Sequence, residues 1–185
     1  SRRSYSCRAR RLEATVRSAC SLTARWYRRP SLALGLMEDD RAKTLTLTSE
    51  VYAAMFDRAL TQTPKEACGL FTGASGTLHV DDFHPMANVA DPDEAWKLYL
   101  LDGQEMLDVE AEADATGRTV LGVMHSHTHT TAYPSPTDVA DASRFDPFGV
   151  LIFVIVSLKH PDPVLRAYRI LDGEITEVLV EVERG

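Results

Sequence analysis

Seven consecutive residues at positions 150–156, Val-Leu-Ile-Phe-Val-Ile-Val, carry no polar side chain. A strand that is apolar on both faces has to be covered on both faces, so this segment belongs at the centre of a sheet with packed layers on either side. The apolar patterns around it supply those layers. Residues 44–48 alternate with period two, as a half-buried strand does, and Ser49 is expected to cap a helix. In that helix Val51, Met55 and Ala59 recur at i, i+4, i+8, one apolar stripe, and Pro64 lies just beyond its end.

Further along, residues 68–72 read as a strand, 73–76 as a hairpin turn and 77–83 as the returning strand, with Leu78 and Val80 on one face. Residues 91–94 form a polar loop. A helix is expected over about 102–115, turning Met106, Val109 and Ala113 inward and ending at Gly117. Residues 119–124 form a buried-type strand, a short helix starts near Ser135, and residues 164–170 and 174–182 make a meander through Asp172-Gly173. The fold class is α/β, a mixed β-sheet flanked by helices, without internal repeats.

Charge divides the chain. Residues 1–36 hold nine arginines, no lysine and a single acid, Glu13, a net +8, so the remainder must carry −15 to give the overall −7. The expected organisation is an Arg-rich extension, 1–36, preceding one domain, 37–185. The extension lacks the continuous apolar core of a secretory signal. Its Arg-rich, acid-poor composition is also that of a transit peptide, and Arg28-Arg29 that of a twin-arginine signal. The simpler reading, preferred here, is a segment without a packed role that precedes a functional start at Met37.

A domain this acidic does not suit nucleic acid, whose phosphates require clustered Lys and Arg, so peptides or proteins are the expected partners. No apolar run approaches the ~20 residues that span a bilayer, and no membrane association is expected. Cys7, Cys20 and Cys68 fit neither a disulfide framework nor metal-ligand spacing, which suits a reducing, cytoplasmic compartment.

The chemistry is concentrated between His125 and Asp138. Side chains two apart on a strand share a face, so His125 and His127 can aim both rings at one ion. Ser135-Pro136-Thr137-Asp138 has the form of a helix start, with Ser at the N-cap and Pro at the first helical position, which fixes Asp138 on the first turn. Two imidazoles, one carboxylate and a water give the open coordination of catalytic zinc. Each piece also has a plainer reading: a His-x-His pair can be surface or satisfied core residues, and Ser135 with Asp138 can be only a capping box. Their combination within fourteen residues after a buried strand favours the metal. His129 is in phase with His127, but the Thr-rich loop is expected to turn before it; a three-histidine site is the alternative. Glu66, just before the strand that opens at Cys68, is the candidate base for a metal-bound water.

Glu66-Ala67-Cys68-Gly69, then His-x-His, seven residues, Ser, two residues and Asp, resembles the motif of the JAMM (MPN+) metallopeptidases at every position, and the resemblance runs over about residues 45–182. It implies a fold related to cytidine deaminases, with His125, His127 and Asp138 as zinc ligands, Glu66 as general acid/base and Ser135 stabilising the oxyanion. The Thr-rich loop with Ala132-Tyr133-Pro134-Ser135, and Tyr168-Arg169-Ile170 before Asp172-Gly173, are similar to the actinobacterial hydrolases that free cysteine from the C-terminus of a ubiquitin-like sulfur-carrier protein. The resemblance therefore implies cleavage after a Gly-Gly tail, with such a carrier as partner. Two rivals are a non-catalytic, partner-binding scaffold of the same fold and a thiol peptidase using Cys68.

Removing residues 1–36 is expected to change the melting temperature by no more than a few degrees, because a weakly periodic Arg-rich segment adds little to a core. Differential scanning calorimetry of the full and shortened chains tests this; a drop of more than about ten degrees would contradict it.

Overall fold

The computed structural model describes residues 44–183. The expectations for residues 1–36, for a start at Met37 and for Cys7 and Cys20 lie outside them. The chain order is β1 (Leu45–Leu47), α1 (Ser49–Gln62), β2 (Cys68–Ala74), β3 (His79–Val80), β4 (Asp82–Met86), α2 (Gly103–Ala115), β5 (Arg118–His127), α3 (Pro136–Phe145), β6 (Ile152–Ser157), β7 (Val164–Leu171), β8 (Glu174–Val178) and β9 (Val180–Val182). A six-stranded sheet has the order β4-β2-β5-β6-β7-β8, and a smaller one the order β3-β1-β9. The α/β class with a mixed sheet is therefore observed: β5 and β6 are parallel, and the other pairs of the large sheet are antiparallel.

The apolar run accounts for the layering. Every residue of β6 is buried. Ile152, Val154 and Val156 face a core shared with Val51, Met55 and Ala59 of α1 and with Leu45 and Leu47 of the small sheet. Phe153 faces the other way, into a second core with Met106 of α2 and Ala142 of α3. Three layers result, with the large sheet in the middle. Among the described residues no helix is long and apolar enough to cross a membrane.

Several boundaries differ from expectation, each for a local reason. Thr48, not Ser49, caps α1: its backbone stays extended and its hydroxyl accepts the Val51 amide at 3.2 Å. Residues 77–83 are not one strand, because Leu78, Val80 and Phe83 all pack into the same core although Phe83 is out of the period-two phase of the other two. The chain therefore bends at Asp81, which Arg118 pairs with, leaving β3 in the small sheet and β4 in the large one. Residues 174–182 divide in the same way at the exposed Leu179, so that β9 can run parallel to β1. The hairpin turn is confined to Ser75-Gly76, since β2 continues to Ala74. In α2 the inward residues are Met106, Ala113 and, unforeseen, Glu110, while Val109 is only partly buried.

A bulge in β5 determines which face carries the histidines. Phe71 pairs with Gly122 but Thr72 with Val120, so Leu121 is an extra residue in the ladder. Leu121 and Met124 pack into the α1-side core, whereas Val120 and Val123 pack into the core beneath α2 and α3. The phase reverses at the bulge, which directs His125 and His127 to the face shared with Val123. Gly122 is required there: a Cβ would lie 1.9 Å from the Ile152 carbonyl oxygen and 2.4 Å from the Phe71 ring. Gly122→Ala is expected to destabilise the fold by about 2 kcal/mol or more, as overpacked interiors do. Urea denaturation measures it, and an unchanged midpoint would show that the β5–β6 spacing yields more easily than the structure indicates.

Candidate metal centre

The carboxyl end of β5, the loop after it and the start of α3 bring three side chains together. His125 and His127 project from one face of β5, and their Nε2 atoms lie 3.2 Å apart. Asp138 faces both, with Oδ2 3.3 Å from His127 Nε2 and Oδ1 3.5 Å from His125 Nε2. One ligand atom from each of the three lies within 4.8 Å of the others, with both histidines buried and Asp138 partly so.

Local sequence explains each placement. Asp138 is the third residue of α3 and closes a capping box: its Oδ2 accepts the Ser135 amide at 2.7 Å and its own amide donates to Ser135 Oγ at 3.2 Å, with Pro136 at the first helical position. The loop before α3 is tied to the sheet by Ser157 Oγ, which donates to Thr130 O at 2.6 Å, and by the buried Tyr168 hydroxyl, which donates to Ala132 O. Thr131 O accepts from His127 Nδ1 at 2.8 Å. That bond leaves the His127 Nε2 lone pair aimed at the cluster, the usual arrangement behind a metal-bound histidine.

Two imidazole nitrogens 3.2 Å apart either share one proton in a hydrogen bond or, with both lone pairs bare beside the carboxylate, repel one another. A cation among them removes the conflict, and two nitrogens with one carboxylate oxygen are a donor set suited to a divalent transition metal with a position left open. The electrostatics show the same tension. Burial lowers the His125 pKa below the ordinary imidazole value. Burial also pulls His127 down, but its hydrogen bonds to Asp138 and Thr131 outweigh this and raise it. Burial alone would raise Asp138, yet the two facing histidines hold it well below the carboxylate range.

Glu66 stands beside this cluster. It is 6% exposed. Burial pushes its carboxyl from 4.5 up to about 7, against the pull of His127 and with the help of Asp138. Its backbone is held at both ends, the amide donating to Ala95 O at 2.7 Å and the carbonyl accepting from Asn88 Nδ2 at 2.9 Å. The adjoining Ala67 is laced to β5 by Ser126, whose hydroxyl accepts the Ala67 amide at 2.8 Å and whose amide donates to Ala67 O at 3.0 Å. Ser126, between the two histidines, thus sets Glu66 in register with them. Sequence reasoning missed Ser126 and Asn88; only the position of Ser126 inside His-Ser-His could have drawn notice.

The other sequence candidates contribute no ligand atom to the cluster. His129 is exposed, its ring 6.2 Å from that of Trp96. Cys68 is fully buried, its thiol donates to Met86 O at 3.7 Å, and burial pushes it up to about 12 despite the Arg58 charge. A thiol that stays protonated is no nucleophile.

Residues 48–171 match the family described as prokaryotic homologs of the JAB domain, Prok-JAB. The chain belongs to that family. It is 34% identical over 147 residues to proteins of Mycobacterium tuberculosis and Mycobacterium bovis named CysO-cysteine peptidase, an alignment that covers 80% of this chain and 97% of each relative. A solution structure of a Desulfitobacterium hafniense protein superposes with a TM-score of 0.65 at 28% identity, covering 76% of this chain and 93% of that one.

The raised Glu66 carboxyl has a consequence for stability. With its folded value near 7 and an ordinary value of 4.5, the native state holds its proton more tightly than the unfolded state, so this contribution is full below pH 4.5 and lost as pH rises through 7. In chelator-treated protein Glu66→Gln should therefore be more stable than the parent at pH 8, by on the order of 2 kcal/mol, and nearly equal to it at pH 4.5. Chemical denaturation at the two pH values is the check; a variant less stable at pH 8 would show that the carboxylate is not buried at a cost.

Proposed function

We propose that the chain is a zinc-dependent peptidase of the JAMM type, which cleaves the amide bond after the C-terminal Gly-Gly of a ubiquitin-like sulfur-carrier protein and frees cysteine or a short extension. The observation that carries this is the convergence of His125, His127 and Asp138 beside a buried carboxyl, Glu66, whose pKa near 7 suits proton transfer in both directions at neutral pH. The relatives named CysO-cysteine peptidase support the choice of substrate.

His125, His127 and Asp138 would hold the zinc, which supplies a water of pKa near ~7 and polarisation of the scissile carbonyl. Glu66 takes the proton from the attacking water and passes it to the departing amine. Ser135 has two duties. Its hydroxyl accepts the Asp138 amide as a helix cap, and its own hydrogen is left to donate to the oxyanion, a contribution of roughly 3 kcal/mol where such donors have been removed. Because the Ser135 amide simultaneously donates to Asp138, the donor and the ligand keep a constant relation to each other.

A peptide that reaches a metal at a sheet's end has to be extended, and glycines without Cβ atoms permit the closest passage. Exposed Trp96 and Tyr133, on the segments that flank the cluster, offer apolar surface to a protein substrate, and binding energy from the carrier body can be spent at the scissile bond.

Elemental analysis of purified protein should find about one zinc per chain. Glu66→Gln should keep the metal and lose at least about a hundredfold in kcat, whereas His127→Ala should lose metal and activity together. Mass spectrometry of a carrier–cysteine adduct before and after incubation reads the product. A zinc-free protein with full activity would overturn the metal assignment, an active Glu66→Gln the base, and equal kcat/KM on the adduct and on free Gly-Gly-Cys the carrier.

A further inference from the structure

The two histidines of the cluster are held in different ways. His127 is oriented by the hydrogen bond from Nδ1 to Thr131 O. His125 Nδ1 is buried and has no hydrogen-bond partner among the described residues. Its neighbours across the sheet, Cys68 on β2, whose thiol donates to Met86 O, and Ile155 on β6, give that nitrogen no partner. On the cluster side His125 Nε2 meets Asp138 Oδ1 only at 3.5 Å, and the terminal torsion of a histidine is broad, so that long contact sets the ring plane loosely. Two rings touch His125: His127, edge-on with centroids 5.0 Å apart, and Tyr99, stacked with centroids 4.4 Å apart and planes 18° from parallel.

Tyr99 is itself clamped. Asn88 donates from Nδ2 to Leu98 O at 2.9 Å and accepts the Leu100 amide on Oδ1 at 3.1 Å, so one side chain holds the residues on both sides of Tyr99. The Val89 amide adds a bond to Leu100 O at 2.9 Å. The same Asn88 amide group reaches Glu66 O, so the segment that carries Tyr99 and the backbone of the proposed base share one anchor.

We infer that Tyr99 is the positioning residue for His125: its ring, carried on backbone that Asn88 holds on both sides and stacked flat on the imidazole, holds the plane in which Nε2 would meet the metal. Turning the imidazole about its terminal torsion would drive its edge into the face of the phenol ring, so stacking does for His125 what the Thr131 carbonyl does for His127. The inference rests on the proposed metal site. It assigns the work to the aromatic face and none to the hydroxyl, and the two parts can be separated by substitution.

Tyr99→Phe keeps the face and Tyr99→Leu removes it. In metal-free full-length protein, NMR should show the His125 ring protons shifted upfield by the stacked ring in the parent and in Tyr99→Phe, with that shift absent in Tyr99→Leu. Zinc affinity by chelator competition should be within about twofold of the parent for Tyr99→Phe and about tenfold or more weaker for Tyr99→Leu, the range seen when groups that orient metal ligands are removed. Parent-like zinc affinity in Tyr99→Leu overturns the inference, as does a Tyr99→Phe that binds as weakly as Tyr99→Leu. If Tyr99→Leu fails to fold, unshifted His125 ring protons in the parent and in Tyr99→Phe would overturn it equally. A parent protein that binds no zinc would instead refute the metal reading on which it stands.

Discussion

One carboxylate joins the architecture of this protein to its chemistry. Asp138 Oδ2 accepts the Ser135 amide at 2.7 Å, completing the capping box that starts α3, and the same carboxylate faces both imidazoles at the end of β5. A helix start and a strand end are thereby brought to one point, across a loop that Ser157 and Tyr168 pin to the sheet. Had the third residue of α3 been neutral, the helix could still begin at the Ser135 cap, but the cluster would lose its anionic group. The helix needs its N-terminal amides satisfied, and the proposed metal needs an anionic ligand held still; Asp138 meets both requirements at once.

The second constraint is burial. Both histidines and Glu66 lie below the surface, where an unpaired charge is costly, and their pKa values move accordingly. Burial alone would disfavour the charged form of all of them. Their mutual proximity redistributes the effect, raising His127, lowering Asp138 and leaving Glu66 near neutrality. A carboxyl poised near 7 can take a proton and return it in one cycle, whereas an exposed Glu near 4.5 would take one reluctantly. Membership of the prokaryotic JAB family and the 34% identity to CysO-cysteine peptidases agree with a hydrolytic use of such a site.

Much of this was legible in residue order. The run at 150–156 implied a central strand, and β6 is buried throughout. The stripe Val51, Met55, Ala59 is the buried face of α1. Ser135-Pro136-Thr137-Asp138 forms the expected capping box, because capping depends only on residues within one turn. What escaped was the division of residues 77–83 and 174–182 between two sheets, since a strand's choice of partner depends on chain that arrives from elsewhere. The bulge at Leu121 escaped as well, although it decides which core His125 and His127 face.

The sequence by itself determined the inventory: which residues can cap, which apolar stripes must be buried, and which His, Asp, Ser and Glu side chains stand at spacings compatible with one metal-dependent site. Those properties are local, written in periods of two and 3.6 and in gaps of a few residues. Only the tertiary structure decided how Glu66, 59 residues before His125, reaches the same point, because that depends on the β2–β5 register and on Ser126 lacing Ala67 to the histidine strand. It alone brought Asn88 under Glu66 and Tyr99 against His125. Hydrogen bonds and ring stacking act over a few ångströms whatever the separation along the chain, so groups that meet only after folding leave no spacing for a sequence to display.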